Sequence, residues 1–503
     1  MPADYVFRTL KANIYDLACE TPLELAKGLS KRWHNSIYLK REDLQPVFSF
    51  KLRGAYNKIL SLTSAEREKG IIAASAGNHA QGVAMAAQKL GIKAVIVMPK
   101  TTPLIKIKAV QTLGAKAETF GDTYDEAYQH ALELQQAEGY VFIHPYDDPD
   151  VIAGQGTIAM ELLKQHPEPI HAIFVPVGGG GLIAGIAAFV KSIRPEIKII
   201  GVEADSSACL FEALRAEKRV ILKEVGLFAD GVAVRQIGKE PFRIARRCVD
   251  EVLLVNTDEI CAAIKDIFDN TRSIAEPAGA LAVAGIKKYI EREKIQKENL
   301  IAINSGANVN FDRLRHISER AEIGEHKEAL FAVTIPENPG SFHAFCRLLG
   351  KRAITEFNYR FSDPKKAHIF VGIELQKGRE EKEYIAQLLK DHHFPVTDLT
   401  DNEMAKLHVR YMVGGKSQLI ENERLYRFEF PERPGALLQF LNKIGERWNI
   451  SLFHYRNHGA AYGRILIGIQ VPAADNKIFD HFLKEVGYFA VNESENPAYG
   501  LFL

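Results

Sequence analysis

Three short stretches carry residue types that could do chemistry together. The first is Val47-Phe-Ser-Phe-Lys-Leu-Arg-Gly-Ala55, in which Lys51 follows Phe48, Ser49 and Phe50. An amine attacks an aldehyde only when unprotonated, and burial beside Phe48 and Phe50 would lower the lysine pKa toward that state. Taken alone, Lys51 is weak evidence, since one lysine among 64 basic residues is almost always a solvated surface charge. The second stretch is Ser75-Ala-Gly-Asn-His-Ala-Gln-Gly82, between a short strand pattern at Ile71–Ala74 and a helical one. Backbone N–H groups at a helix start bind anions, and Ser75, Asn78 and His79 add polar side chains, which suits a carboxylate. An ordinary cap on Ser75 is the alternative. The third is the unbroken run Gly178 to Gly181, after a buried strand and before the helix pattern Leu182–Lys191. Glycine lets a backbone close around a phosphate, and the helix dipole adds attraction. A flexible linker suits that strand-before, helix-after context less well.

A fourth segment, Asn304-Ser-Gly-Ala-Asn308, follows the strand pattern Leu300–Ile303. Strand ends in open α/β sheets face the ligand crevice, so Ser305 could reach the edge of a bound group. A plain turn fits as well. A reactive lysine, a polar helix-opening loop and a glycine cradle are together the parts that hold pyridoxal phosphate. The 16 histidines, including His392-His393, show no metal-ligand spacing.

The elements that must position these residues are legible from periodicity. Ala94–Met98, Ala172–Val177, Ile197–Val202 and Leu300–Ile303 are apolar on both faces, as central strands of a helix-covered sheet are. Val83–Leu90 and Leu281–Ile290 carry helical spacing. An open α/β region, as two lobes around a cleft, is expected from about residue 20 to 310. His316–Glu328 is rich in charge and reads as an exposed connector, plausibly helical.

Beyond it the chain repeats itself. Phe331-Ala-Val-Thr-Ile-Pro-Glu-Asn-Pro-Gly340 matches Tyr426-Arg-Phe-Glu-Phe-Pro-Glu-Arg-Pro-Gly435, and Ile354-Thr-Glu-Phe-Asn-Tyr-Arg360 matches Ile450-Ser-Leu-Phe-His-Tyr-Arg456. Each copy reads as strand, Pro-Gly turn, helix and two strands, so a duplicated βαββ module is expected. Such modules can bind a free amino acid where they meet, with close approach possible at Gly340 and Gly435, or can serve oligomerisation. The Phe357 and Phe453 neighbourhoods are the suggested contact regions.

The bulk composition agrees with a globular protein. The 503 residues call for two or three domains, and 64 basic against 63 acidic residues leave no field for nucleic acid or an anionic membrane. Met1–Ala12 lacks the apolar core of a signal peptide. The five cysteines are scattered and odd in number, as expected of reduced thiols in the cytoplasm.

Jointly, these segments resemble the fold type II pyridoxal phosphate enzymes and, within them, the biosynthetic threonine dehydratases (threonine deaminases). The resemblance runs from Tyr15 to Leu503 and rests on Ser49–Ala55, Ser75–Gly82 and Pro176-Val-Gly-Gly-Gly-Gly-Leu182. It implies an α/β catalytic domain over 1–315, with open, mostly parallel sheets in two lobes. A linker over 316–328 and an α+β regulatory domain of two ACT-like modules, 329–400 and 423–497, would follow. Lys51 would hold the cofactor as a Schiff base and move the α-proton, with Phe50 beside it. Asn78 would bond the ring hydroxyl oxygen, and Ser75, Gly77, Asn78 and His79 would surround the substrate carboxylate. Gly178, Gly179, Gly180, Gly181 and Leu182 would hold the phosphate, and Ser305 would meet the ring nitrogen. A neutral serine there makes the ring a weaker electron sink than a carboxylate would, which favours prompt loss of a β-hydroxyl.

The implied reaction is β-elimination, turning L-threonine into 2-oxobutanoate and ammonia, with L-serine as a second substrate. The implied setting is the first committed step of isoleucine biosynthesis, in a cytoplasmic homotetramer inhibited by isoleucine and activated by valine. A serine dehydratase or racemase is the nearest rival. A non-catalytic amino-acid sensor would be expected to have lost the lysine or the glycines. Some racemase-like relatives bind a divalent cation just after a Gly-Val-Glu strand. Here Glu203 is followed by Ser207 and Cys209, and a thiol is a poor Mg²⁺ ligand, so no required metal is expected.

Overall fold

In the computed structural model the described residues are 2–503 apart from 413, 416, 418–419, 432–435, 445–446, 457–461, 497–498 and 500–502. They divide into a unit ending at Gly324 and a unit from Glu325 to Leu503.

The strands of the first unit are β1 (Leu23–Leu25), β2 (Ser36–Arg41), β3 (Ile71–Ala74), β4 (Ala94–Met98), β5 (Lys116–Thr119), β6 (Val141–Phe142), β7 (Ala172–Pro176), β8 (Lys198–Ala204), β9 (Glu251–Val255) and β10 (Asn299–Asn304). They form two sheets, in the orders β1-β2-β10-β7-β8-β9 and β5-β4-β3-β6. All pairings are parallel except β1 with β2. Parallel strands need covered faces, and β3, β4 and β7 are buried at every position. The two sheets are the two expected lobes. The carboxyl ends of β3, β7 and β10 lead directly into the Ser75, Gly178 and Ser305 segments, so both lobes contribute to one crevice.

The connector is helical, as expected, but packed rather than exposed. Residues Arg313–Gly324 are a helix with Ile317, Arg320, Ala321 and Ile323 buried, and Arg320 pairs with Asp258 of the helix Thr257–Thr271. Its other charges are exposed or partly exposed, and Ile317 and Ala321 join the core of the first unit.

The second unit contains β11 (Glu328–Pro336), β12 (Ile354–Arg360), β13 (Lys366–Glu374), β14 (Val396–Asp398), β15 (Glu423–Pro431), β16 (Asn449–Arg456), β17 (Tyr462–Gln470) and β18 (Phe489–Asn492). These form one antiparallel sheet, ordered β14-β11-β13-β12-β16-β17-β15-β18. The duplicated modules join edge to edge through β12 and β16, with Phe357 opposite Tyr455 and Tyr359 opposite Phe453. Each module extends the expected βαββ pattern by a helix, Gly378–Asp391 or Asn476–Glu485, and a short edge strand. The helix Gly378–Asp391 buries only Ile385 and Leu389, so its sequence is dominated by exposed charge. Phe357 and Phe453 are each 1% exposed, with ring centroids 5.1 Å apart. They are core residues, and Phe342, which packs on both rings, is the side chain of that neighbourhood that lines a pocket between the modules. Gly340 adopts φ 87° at the turn before the helix Ser341–Leu349, whereas Gly435 lies outside the described residues. Among the described residues no helix is long and apolar enough to cross a membrane.

Candidate active site

Lys51 opens the helix Lys51–Leu60. Its Nζ donates to the Pro145 carbonyl at 3.0 Å and stands 5.3 Å from the Phe50 ring centroid. Burial lowers its pKa to about 8, against the opposing pull of the Glu276 carboxylate. Among the described residues no carboxylate forms an ion pair with it. Phe48, expected to help bury the lysine, is instead 56% exposed with φ 55°. Its turn swings the side chain outward, leaving Phe50 as the aromatic neighbour.

The four glycines are sterically obligatory. A Cβ at Gly178 would lie 2.9 Å from Val232 Cα, one at Gly179 2.2 Å from the Tyr146 ring, and one at Gly180 2.4 Å from Ile237 Cδ1. Gly180 also adopts φ 90°. Gly181 begins the helix Gly181–Ile193, in which Leu182 is buried. Any contact of Leu182 with an anion is through its backbone N–H. The Tyr146 that presses on Gly179 and Gly181 directly follows Pro145, the residue accepting from Lys51. One dipeptide therefore links the lysine nitrogen to the glycine turn. An amine with a lowered pKa beside a backbone cradle that tolerates no side chain fits an aldehyde-and-phosphate cofactor.

The helix Asn78–Leu90 begins at the end of β3 with Gly77 as its cap, and among the described residues no side chain caps its first N–H groups. Ser75 Oγ accepts from Gly77 N at 3.3 Å, and a Cβ at Gly77 would meet nothing within 4 Å, so this backbone borders open space. His79 differs from expectation. Its ring is 3% exposed, and Nε2 lies 2.8 Å from the Ile143 carbonyl. Burial, reinforced by Lys51, lowers its pKa to about 3. A carbonyl only accepts, so the single ring proton sits on Nε2 and bare Nδ1 cannot donate to a carboxylate. The backbone N–H of His79, not its ring, is available to an anion at this helix start.

Ser305 is 3% exposed; its Oγ is 3.4 Å from the Ala278 carbonyl, and its own carbonyl accepts from Phe50 N at 3.2 Å. Ala307 N donates to Phe48 O at 2.9 Å, and Ser49 bridges to Gly306. The loop after β10 thus clasps the loop that precedes Lys51. The fully buried Asn304 amide has no hydrogen-bond partner among the described residues.

Several residues that surround this site had drawn no role from the sequence. Glu276, 4% exposed, accepts from Asn78 Nδ2 at 2.6 Å, and burial raises its pKa to about 7. Asn308 Nδ2 donates to Asn78 Oδ1 at 2.7 Å. Their only sequence signals are Glu before Pro277 at a helix start and a second asparagine in a turn. Arg53 is fully buried between Glu42 and Glu161, with Nε–Oε2 2.7 Å to the former and Nη2–Oε2 2.9 Å to the latter. Glu203 accepts from Leu210 N and Phe211 N, each at 2.8 Å, and Cys209 Sγ donates to the Gly178 carbonyl at 3.3 Å.

In the second unit a cavity lies between modules, bordered by Asn338, Pro339 and Gly340 of the first and Leu441, Trp448 and Ile450 of the second. Nearby, Tyr359 and Asn449 donate to the Glu337 carboxylate, which burial makes less acidic.

The family described as "Pyridoxal-phosphate dependent enzyme" matches residues 14–306. That described as "C-terminal regulatory domain of Threonine dehydratase" matches 319–409 and 414–503. A Burkholderia multivorans protein named L-threonine dehydratase biosynthetic IlvA is 58% identical over 503 residues, covering 99% of each chain. Its Escherichia coli namesake is 54% identical over 501 residues, covering 100% of this chain and 97% of its own. Among solved structures, the processed form of threonine deaminase isoform 2 from Solanum lycopersicum superposes with TM-score 0.63 at 52% identity, over 64% of this chain and 93% of that one. A serine racemase from Dictyostelium discoideum gives TM-score 0.56 at 32% identity, over 61% of this chain and 98% of that one.

Proposed function

The chain belongs to the pyridoxal-phosphate-dependent threonine dehydratase family, and from that premise we propose that it converts L-threonine to 2-oxobutanoate and ammonia at Lys51. The carrying observation is the lysine amine, its pKa lowered to about 8, one dipeptide away from the glycine turn. Pyridoxal phosphate, when bound, supplies an aldehyde carbon for an amine and a ring that withdraws electrons from the substrate Cα.

The protein's own residues supply the rest. The N–H groups of Gly178–Gly181 and Leu182 hold the phosphate at the start of a helix, where the dipole favours an anion. The uncapped start of the helix Asn78–Leu90, with Ser75 and Gly77, holds the substrate carboxylate. Lys51 Nζ, easily stripped of its proton, takes the α-proton. Asn78 would contact the ring hydroxyl oxygen, and the neutral Ser305 hydroxyl would meet the ring nitrogen. L-Serine is a second substrate, because one methyl group is worth only about 1–3 kcal/mol of discrimination. The test is direct: the purified protein should absorb visible light from a lysine-bound cofactor and produce a 2-oxo acid from threonine. Absence of both would dismiss the reading.

The second unit is read as a sensor for isoleucine, which inhibits, and valine, which opposes it, placing the enzyme at the first committed step of isoleucine synthesis. The intermodule cavity beside Gly340 and Trp448 supports this, since apolar and aromatic residues of both modules meet there. Assembly as a cytoplasmic homotetramer belongs to the same reading. Coupling between such sites typically amounts to about 1–3 kcal/mol and is reciprocal. A chain ending at Gly324 should keep turnover and lose its response to isoleucine; a retained response would refute the assignment. The cut belongs after Gly324 because the helix Arg313–Gly324 completes the first unit.

A further inference from the structure

The Asn78 amide has two N–H donors and two acceptor positions, and one of each is committed within the protein. Nδ2 donates to Glu276 Oε1 at 2.6 Å, and Oδ1 accepts from Asn308 Nδ2 at 2.7 Å. Asn308 Nδ2 also donates to the Val47 carbonyl at 2.8 Å, and the Asn308 backbone N–H is directed at the Glu276 carboxylate. A closed ring of hydrogen bonds thus spans the loop before Lys51, the first turn after β3, the loop after β10 and the start of the helix Pro277–Glu293.

That ring fixes which way each amide faces. A backbone carbonyl only accepts, so Asn308 must turn its NH₂ toward Val47. Asn78 must then turn its oxygen toward Asn308 and its NH₂ toward Glu276, which accepts. The fold reserves room for this carboxylate: a Cβ at Gly306 would come within 2.6 Å of Glu276 Oε1. A buried carboxylate is costly without partners, and its retention here is matched by two donors that converge on it.

We propose that Glu276 is a positioning residue that locks the Asn78 side chain with its second N–H turned to the cofactor ring oxygen. This rests on the reading of Asn78 as the residue that meets that oxygen. A donor facing the oxygen favours its deprotonated form, whereas a flipped amide would present a carbonyl and favour the protonated form. Glu276 therefore sets the protonation of the bound cofactor without touching it.

The test is a pH titration of the visible absorption of the holoenzyme, alongside cofactor affinity and kcat, for Glu276→Gln, Glu276→Ala and Asn308→Ala. Glutamine still offers an amide oxygen to Asn78, so Glu276→Gln should keep a titration and kcat close to those of the parent. Glu276→Ala and Asn308→Ala each remove one of the two partners that hold the amide, and the double variant removes both and frees it to flip. The double variant should shift the spectral midpoint by about one pH unit or more and lower kcat by about 10–100-fold, with each single alanine variant shifted the same way by less. Should Glu276→Ala fail to fold, Asn308→Ala carries the same expectation from the opposite side of the ring. An unshifted titration in the alanine variants overturns the proposal, as does Glu276→Gln behaving like Glu276→Ala, which would assign the effect to charge. A parent enzyme with no lysine-dependent visible band would instead overturn the reading of the site beneath it.

Discussion

Lys51, part-buried, and Arg53, fully buried, stand two residues apart on one helix, and the protein treats them in opposite ways. The guanidinium of Arg53, opposed by burial, is held above its ordinary pKa by Glu42 and Glu161, and also donates to Thr157 and the Cys19 carbonyl. Lys40 donates to Glu161 as well, so the network joins β2, the Lys51 helix and the helix Pro149–Gln165. Lys51, with a single carbonyl acceptor, is driven down to about 8. Burial alone therefore does not make a reactive cation. Burial without a carboxylate partner does, and the adjacent buried ion pairs supply the rigidity that lets the lysine go unpaired.

Five substitutions, one of them followed across pH, would break or sharpen that contrast. The largest effect is expected from Lys51→Ala, with kcat lower by roughly 10³-fold or more, the visible cofactor band lost, and melting temperature little changed. Arg53→Met should do the reverse of that last point. It leaves Glu42 buried without its guanidinium and Glu161 with Lys40 alone, so denaturant unfolding should show a loss of about 3–5 kcal/mol. If Arg53→Met left stability intact, the contrast would fail.

The pH dependence follows from the same displacement. Folded Lys51 releases its proton near pH 8, whereas an unfolded lysine holds it to near 10.5. Between those values the unfolded chain binds more protons, so the residue's contribution to stability rises with pH across that window and is most unfavourable below it. In cofactor-stripped protein, Lys51→Met should be more stable than the parent at pH 7.5, with a gap that closes as pH approaches 10.5. The smallest effect belongs to the aromatic pair. Phe48→Ser at an exposed position should stay within about 0.5 kcal/mol of the parent. Phe50→Ser should hydrate Lys51 and raise its pKa, measurable as a later onset in the pH–rate profile.

The parts of the site legible in the sequence are those with a local demand. A run of four glycines announces a backbone that admits no Cβ, and the apolar runs at Ala94–Met98 and Ala172–Pro176 announce strands covered on both faces. Glu276, Asn308 and the Glu42–Arg53–Glu161 network were illegible for the opposite reason. Their meaning lies in distant partners, 108 residues apart for Arg53 and Glu161, 198 for Glu276 and Asn78 and 230 for Asn308 and Asn78, and each sits in an unremarkable local context. His79 was misread because a histidine in a polar loop gives no sign of which way its ring turns. The extra helix and edge strand of each tail module were hidden by a surface-dominated composition, in which two buried positions of the helix Gly378–Asp391 carry the packing.

The most direct measurement is chemical. Borohydride reduction of the purified holoenzyme, followed by peptide mass mapping, should place the phosphopyridoxyl adduct on Lys51. An adduct on another lysine, such as Lys58 one helical stretch further on, or no adduct on any lysine, would contradict the assignment.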